Sequence, residues 1–270
     1  MVTDSYSHIK RPLFLRLVPP RLAQSLFYRW FSSRHHQWQH LFRTATLRFA
    51  PNVSMSALVP GDIISGSIAF TGFYELDLTR YIRSLSINGG LLVDVGANLG
   101  YFSLLWAAGN AGNRAIAFEA SPTNVPRLAS NIESNALSSR VTLKPFAVGH
   151  SIGTMVFDPG PEDQTGWGGF VTSPCPLSVQ VTVTTLDAEL VDTAIDLLKI
   201  DVEGADTWVL RGCQTLLAHR RIKTIVFEQN RPRMEALGIS PDEAPSLLRT
   251  AGYRCAPLSS NQETWMAFPE

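Results

Sequence analysis

The stretch "LLVDVGANLGYF", Leu91 to Phe102, decides how the rest of the chain is read. Its opening is apolar apart from Asp94, and the chain then meets Gly96 and Gly100. A near-continuous apolar run of this length reads as a strand buried on both faces. The glycines that follow allow a tight turn and close backbone approach into the helix "LGYFSLLWAAG", which Gly109 ends. The unit recurs downstream. "AIAFEA" (115–120), "VTLKPFAVG" (141–149), "IDLLKIDVEG" (195–204) and "IKTIVFEQN" (222–230) read as further strands. Helices are expected between them: from Ser121 as N-cap and Pro122 to about Asn135, from Ala205 to about Ala218, and from Pro241 to Gly252. Strands alternating with helices predict an α/β doubly wound, mostly parallel sheet. "YRCAPL" (253–258) and "TWMAFP" (264–269), with Ser259 to Gln262 between them, predict a C-terminal hairpin adding an antiparallel edge.

Upstream, Pro20 opens one expected helix through about Thr44. "IISGSIAF" (63–70) predicts a short strand, and "YELDLTRYIRSL" (74–85) a helix. The segment from Gly149 to Leu186 breaks the rhythm and is rich in Gly and Pro at its middle. Long irregular insertions in compact domains are usually functional. "TMVFD" (154–158) is expected to pair with "VQVTVTT" (179–185), holding the tip over the active face. The domain reading is a basic helical extension over 1–58 and one catalytic domain over 59–270.

The chain of 270 residues is 45% apolar, which suits a globular protein with a substantial core. Cys175, Cys213 and Cys255 lie far apart without C-x-x-C spacing. That argues against a zinc site or a disulfide framework and for a reduced, cytoplasmic setting. Net charge is zero, yet residues 1–50 hold eight Lys/Arg against Asp4 alone. Such asymmetry fits a basic arm that meets a membrane surface or anionic partner, or a helical cap docked on the acidic body. No stretch reads as a membrane span: residues 95–113 lack charge but carry four glycines and three asparagines. Arg16 and the prolines of "PLFLRLVPP" interrupt any signal-peptide core.

Ligands of doubly wound sheets bind beyond the carboxyl ends of the strands, where Gly96 and Gly100 fall. Asp94 could order that loop or hold a positively charged ligand group. Glu119, with Ala120 beside it, ends the second strand 19 residues after Gly100. An acid about 20 residues beyond such a loop commonly accepts hydrogen bonds from ribose hydroxyls. G-A-N-L-G is not the pyrophosphate fingerprint and no Walker lysine follows, which weakens NAD and ATP. S-adenosylmethionine carries adenosine without phosphate and fits best.

The blocks "GFYEL" (72–76), "VDVGANLGYFSL" (93–104), "AFEASPTNVPRLASNIESN" (117–135), "TTLDAEL" (184–190), "DLLKIDVEGADTWVLRG" (196–212) and "IVFEQN" (225–230) stand in this order. Together they resemble the FkbM-type S-adenosylmethionine-dependent methyltransferases over about residues 60–230. The resemblance implies a class I methyltransferase fold and methylation of a hydroxyl oxygen of a small molecule or sugar. It also implies Glu119 on the ribose, and Gly96, Asn98 and Gly100 near the methionine end. The family often has Glu where this chain has Asp206.

Three acids supply the catalytic candidates. Lys199, Asp201 and Glu203 share one side of an extended strand, and Glu228 ends the next strand. One carboxylate could accept the proton of a substrate hydroxyl. Converging carboxylates could instead hold a divalent cation, the less favoured reading, and a Lys199–Asp201 ion pair with Glu203 at a helix N-terminus is the plain structural one. Tyr74 and Glu75 could close over the cofactor, with Glu75 meeting its amino group. His150 and Trp167 are weaker candidates, and His219, at a helix end where a cation favours the dipole, reads as structural. A nicotinamide-dependent oxidoreductase and a non-catalytic membrane-associated module remain the rival readings. A nucleic-acid substrate is disfavoured because no N-P-P-Y-type motif occurs. The acceptor, the atom methylated and homodimerisation stay open.

Overall fold

The computed structural model describes residues 11–190, 192–258 and 263–270. Seven strands form the main sheet: β1 (Leu91–Val95), β2 (Arg114–Phe118), β3 (Val141–Lys144), β4 (Leu197–Ile200), β5 (Ile225–Glu228), β6 (Tyr253–Pro257) and β7 (Thr264–Pro269). Their spatial order is β3-β2-β1-β4-β5-β7-β6. Strands β1 to β5 pair in parallel, and β7 runs antiparallel to both β5 and β6. This is the class I methyltransferase fold. The C-terminal hairpin supplies the expected antiparallel edge. The hairpin folds so that β7 enters beside β5 and β6 becomes the outer strand, a placement that strand patterning alone does not fix. The hairpin's connecting residues 259–262 lie outside the described residues.

Strands β1, β2, β4 and β5 are largely apolar because helices cover both faces. Leu92, Leu104, Leu105 and Trp106 belong to one buried cluster, and Val93, Leu198, Val209 and Phe227 to the other. Helix Tyr101–Gly109 follows β1, and helix Asn124–Ser134 follows β2. The latter starts three residues after Ser121, with Thr123 at its N-cap, so the expected Ser121 cap is not used. The helix expected over 205–218 is two pieces, Asp206–Arg211 and Gln214–Ala218, broken at Gly212–Cys213.

Two upstream expectations are corrected. "IISGSIAF" is not a strand but the helix Ile63–Thr71. Asp62 caps it by accepting from the Ser65 N–H at 2.8 Å, and Gly72 ends it in the left-handed region at φ 81°. The single helix expected from Pro20 is a relay: α-helix Pro20–Leu26, a π-helical turn Phe27–Phe31 and a 3-10 segment Ser32–Phe42 kinked at Arg34 and Trp38. The breaks let Phe27, Phe31, Trp38 and Phe42 surround Phe70; the Phe31 and Phe70 rings stack at 4.8 Å. The basic segment therefore docks on apolar surface rather than on acids.

The insertion forms the expected hairpin. Gly153–Asp158 pairs antiparallel with Val179–Thr184, and Ala147–Val148 and Gly169–Phe170 complete a four-stranded sheet at the carboxyl end of the main one.

Candidate active site

The chain leaves β1 toward β2 on one side, and later returns to β4 on the other. The crevice this opens beyond the strand ends is a switch-point site. Its pocket is lined by Tyr74, Glu75, Gly96, Asn98, Glu119, Ala120, Asp201, Glu203 and Glu228, all anticipated from sequence. Aromatic walls come from Phe102, Phe118, Phe146, Phe157 and Phe170.

Asp94 and Gly100 do not line it. Asp94 is fully buried one layer below. Its Oδ2 accepts from the Ser103 hydroxyl at 2.7 Å and its Oδ1 pairs with the Lys199 ammonium at 3.4 Å. The positively charged group it holds is thus the protein's own: Lys199 sits directly across from Asp94 in the β1–β4 register. Gly100 has φ 91°, and a Cβ there would stand 2.4 Å from Leu128 Cδ1, so it serves the turn and helix packing. Gly96, at φ 78°, lies so close to β4 that a Cβ would stand 1.9 Å from the Asp201 carbonyl oxygen.

Glu119 is 7% exposed. Its Oε2 accepts from the Asn98 N–H at 2.7 Å and its Oε1 from the Ser121 N–H at 2.8 Å. Burial pushes its carboxyl up to about 7, against the pull of those two backbone donors. Lys199 is also buried, and burial pushes its ammonium down; Asp201, Asp94 and Glu75 outweigh that and hold it above the usual lysine range. Asp201 meets Lys199 at 3.2 Å. The Lys199–Asp201 pair thus exists, but as part of a wider cluster.

Glu203 does not cap the following helix. It accepts from the Asn230 amide at 2.9 Å, and Arg233 stands 3.9 Å away. Burial, then the charge of Asp201, pushes it up to about 7. Glu228 is pushed up to about 10 by burial and by its hydrogen bond with Asp201, so near neutral pH it carries a proton. Glu75 makes no capping bond to the helix Leu76–Ser86 that it precedes; burial and Asp201 push it up to about 7. Five described non-glycine residues have positive φ, and three of them, Glu75, Asn98 and Glu203, line this pocket. Backbone strain of this kind gathers at functional sites.

Sequence reasoning missed the residues that fix the insertion over the pocket. Thr165 donates to Asp62 from its N–H at 3.1 Å and its hydroxyl at 2.9 Å, and its carbonyl accepts from the Asn98 and Asn124 amides at 2.8 and 2.9 Å. Asp206, noted from the sequence only as a departure from the family pattern, accepts from Val202 N–H at 3.3 Å and Glu228 N–H at 2.9 Å, tying the tips of β4 and β5. The only local signal was an acid in a helix first turn. His150 stacks edge-on against Trp208, His219 bonds the Thr215 carbonyl, and Trp167 is exposed; none lines the pocket. Nor does any residue of 11–58. Among the described residues no group of three or more His, Cys, Asp or Glu could hold a metal ion.

The residues fit a nucleoside cofactor with a cationic end. Each Glu119 oxygen retains a lone pair after its backbone bond. Asn124 Oδ1 is buried without a partner in the same pocket. Glu75, Asp201 and Glu203 place acidic groups in the same pocket for positive charge.

The family described as Methyltransferase FkbM domain matches residues 94–255. The chain is similar over 91% of its length to methyltransferase FkbM from Methylobacillus flagellatus KT, spanning 60% of that chain at 13% identity and TM-score 0.46. It is also similar to Podospora anserina methyltransferase PaMTH1, solved with S-adenosylhomocysteine: 72% of this chain, 78% of that one, 10% identity, TM-score 0.43. A third likeness is to M. capricolum TrmK with the same product: 71% and 66% covered, 11% identity, TM-score 0.41. No curated protein matches the chain.

Proposed function

The chain belongs to the FkbM methyltransferase family, and on that premise we propose that it uses S-adenosylmethionine to methylate a hydroxyl of a small molecule, natural product or sugar. Glu119 carries the reading. It is a buried carboxylate at the tip of β2 with one lone pair left on each oxygen, suited to two neighbouring ribose hydroxyls. Asn124 Oδ1 would take the adenine amino group, and the Gly96–Asn98 backbone the face of the cofactor. Glu75, unused as a cap, would take the ammonium of the methionine end.

When bound, the cofactor supplies an electrophilic methyl on a sulfonium. Glu203 would take the proton of the acceptor hydroxyl as methyl transfer proceeds. A carboxyl poised near 7 suits a base at neutral pH, and general-base help of this kind contributes about 10²–10⁴-fold. Glu228 already holds its proton and is a donor to Asp201 rather than a base. Asp201 is anchored in the pocket by the Lys199 ammonium. The aromatic walls exclude water, which strengthens each of these interactions. In this reading residues 59–270 are the methyltransferase domain and 1–58 a basic extension. The three free cysteines accord with a reduced, cytoplasmic setting.

Thermal-shift titration with S-adenosylhomocysteine and NAD, followed by turnover against hydroxylated acceptors, tests it. The expected result is stabilisation by S-adenosylhomocysteine alone and a methyl ether in the product. Stabilisation by NAD alone, or methylated nitrogen or carbon in the product, overturns the reading.

A further inference from the structure

No acidic residue stands between Asp4 and Asp62. Within that interval Arg16, Arg21, Arg29, Arg34 and Arg43 are all exposed. So are Phe14, Leu17, Leu22, Tyr28 and Trp30, between 48% and 72%. These five account for more than half of the nine exposed large apolar side chains described, and the other four are scattered between Ile87 and Leu177. The clustering follows from how the segment docks. In the helical run from Pro20 to Phe31, Ala23 and Phe27 are buried against the body, with Phe27 packed on Phe70. Arg21, Leu22, Ser25, Tyr28 and Arg29 are exposed and recur at i, i+1, i+4, i+7 and i+8, the opposite helical face. That face carries guanidinium and apolar groups together, and Trp30, next to Arg29, is exposed as well. Arg34 also lies over the Trp30 ring at 5.6 Å.

We propose that this face is a docking surface for an anionic phospholipid bilayer. The chemistry matches on both counts. Arginines attract a negatively charged headgroup layer, while Trp, Tyr and Leu enter the boundary between headgroups and acyl chains. A nucleic acid would use the arginines but has no use for Leu17, Leu22 and Phe14. A second copy pairing through the same face would set like charge against like charge. The salt bridge from Arg21 to Asp77 is 4.0 Å long with both side chains well exposed, so it does not hold this arginine from a partner. The inference stands apart from the methyl-transfer reading, because no residue of this face lines the active-site pocket.

The test is co-sedimentation of the full chain with vesicles of phosphatidylcholine alone and with about 30 mol% phosphatidylglycerol. Binding to the anionic vesicles only, weakening as salt rises, is expected. Arg16→Gln/Arg21→Gln/Arg29→Gln/Arg34→Gln should lower partitioning at least about tenfold, with a cooperative melt retained. Brominated acyl chains should quench tryptophan fluorescence in the unmodified chain, and Trp30→Phe should bind equally but lose most of that quenching. This second readout holds even where the quadruple variant folds poorly. Absence of vesicle binding, binding to a nucleic acid but not to vesicles, or burial of Trp30 in a vesicle-free oligomer would each overturn the proposal.

Discussion

Replacing Glu119 by Gln separates what this carboxylate costs the empty protein from what it contributes to the cofactor. In the folded chain its value is about 7 against an ordinary 4.5, so the native state binds more protons than the unfolded chain between those limits. Stability from this group is therefore full below about pH 4.5 and is lost as pH rises through about 7, a loss of about 3 kcal/mol. Glu119→Gln removes that pH-dependent loss. It also turns one acceptor into an amide N–H₂ facing the Asn98 or the Ser121 N–H, costing about 1–3 kcal/mol at every pH. The two effects nearly cancel at pH 8, whereas the variant is the less stable protein at pH 4.5. Ligand binding shows no such cancellation. At least one charge-assisted contact to ribose disappears, about 1.5–3 kcal/mol, so affinity for S-adenosylhomocysteine should fall tenfold to more than a hundredfold. Calorimetric titration measures it, with urea melts at the two pH values alongside. Affinity that tightens as pH rises through about 7 in the unmodified chain, and less steeply in the variant, where Glu75 still titrates, completes the signature. Unchanged affinity in Glu119→Gln would refute the reasoning even if the melts behaved as described.

Three further outcomes follow from the geometry. Glu203→Gln should lower turnover about 10²-fold or more while S-adenosylhomocysteine binds within a few-fold of normal, whereas Glu228→Gln, which mimics a side chain already protonated, should leave both nearly unchanged; stopped-time assays with equilibrium titration distinguish them. Lys199→Met strips the shared cation from Asp94 and Asp201 and should cost about 3–5 kcal/mol in urea melts, because truncating one partner leaves buried charge unpaired. Gly96→Ala must place a methyl 1.9 Å from the Asp201 carbonyl oxygen in a left-handed backbone, so a loss of at least about 3 kcal/mol is expected; a melt like the parent's would show that the β1–β4 approach is looser than described.

The main sheet was legible because its strands are buried on both faces, and long apolar runs such as "LLVDV" can be little else once glycines and helices follow. Side chains near the strand ends were legible for the same reason: the topology brings the tips of β1, β2, β4 and β5 to one edge, and with them Gly96, Glu119, Asp201 and Glu228. Short apolar runs carry less information. "IISGSIAF" suits a strand or a buried helix equally by composition; Asp62 at its head was the signal for a helix, and seven of its nine helical residues proved buried on all sides, which erased the periodicity. The N-terminal relay was illegible because its breaks answer to Phe70, a residue far along the chain. Thr165 and Asn98 are 67 residues apart, and Thr165 and Asp62 are 103 apart, so their bonds leave no local pattern. Asp94 illustrates a different limit: its charge pointed to a ligand, and its partner was a lysine on the neighbouring strand.

A crystal structure with S-adenosylhomocysteine bound tests the central claim most directly. The account predicts both ribose hydroxyls within hydrogen-bond distance of Glu119, which keeps its contacts to the Asn98 and Ser121 N–H groups, and the sulfur turned toward Asp201 and Glu203. A nucleoside seated elsewhere, with Glu119 bonded only to those two backbone groups, would contradict it.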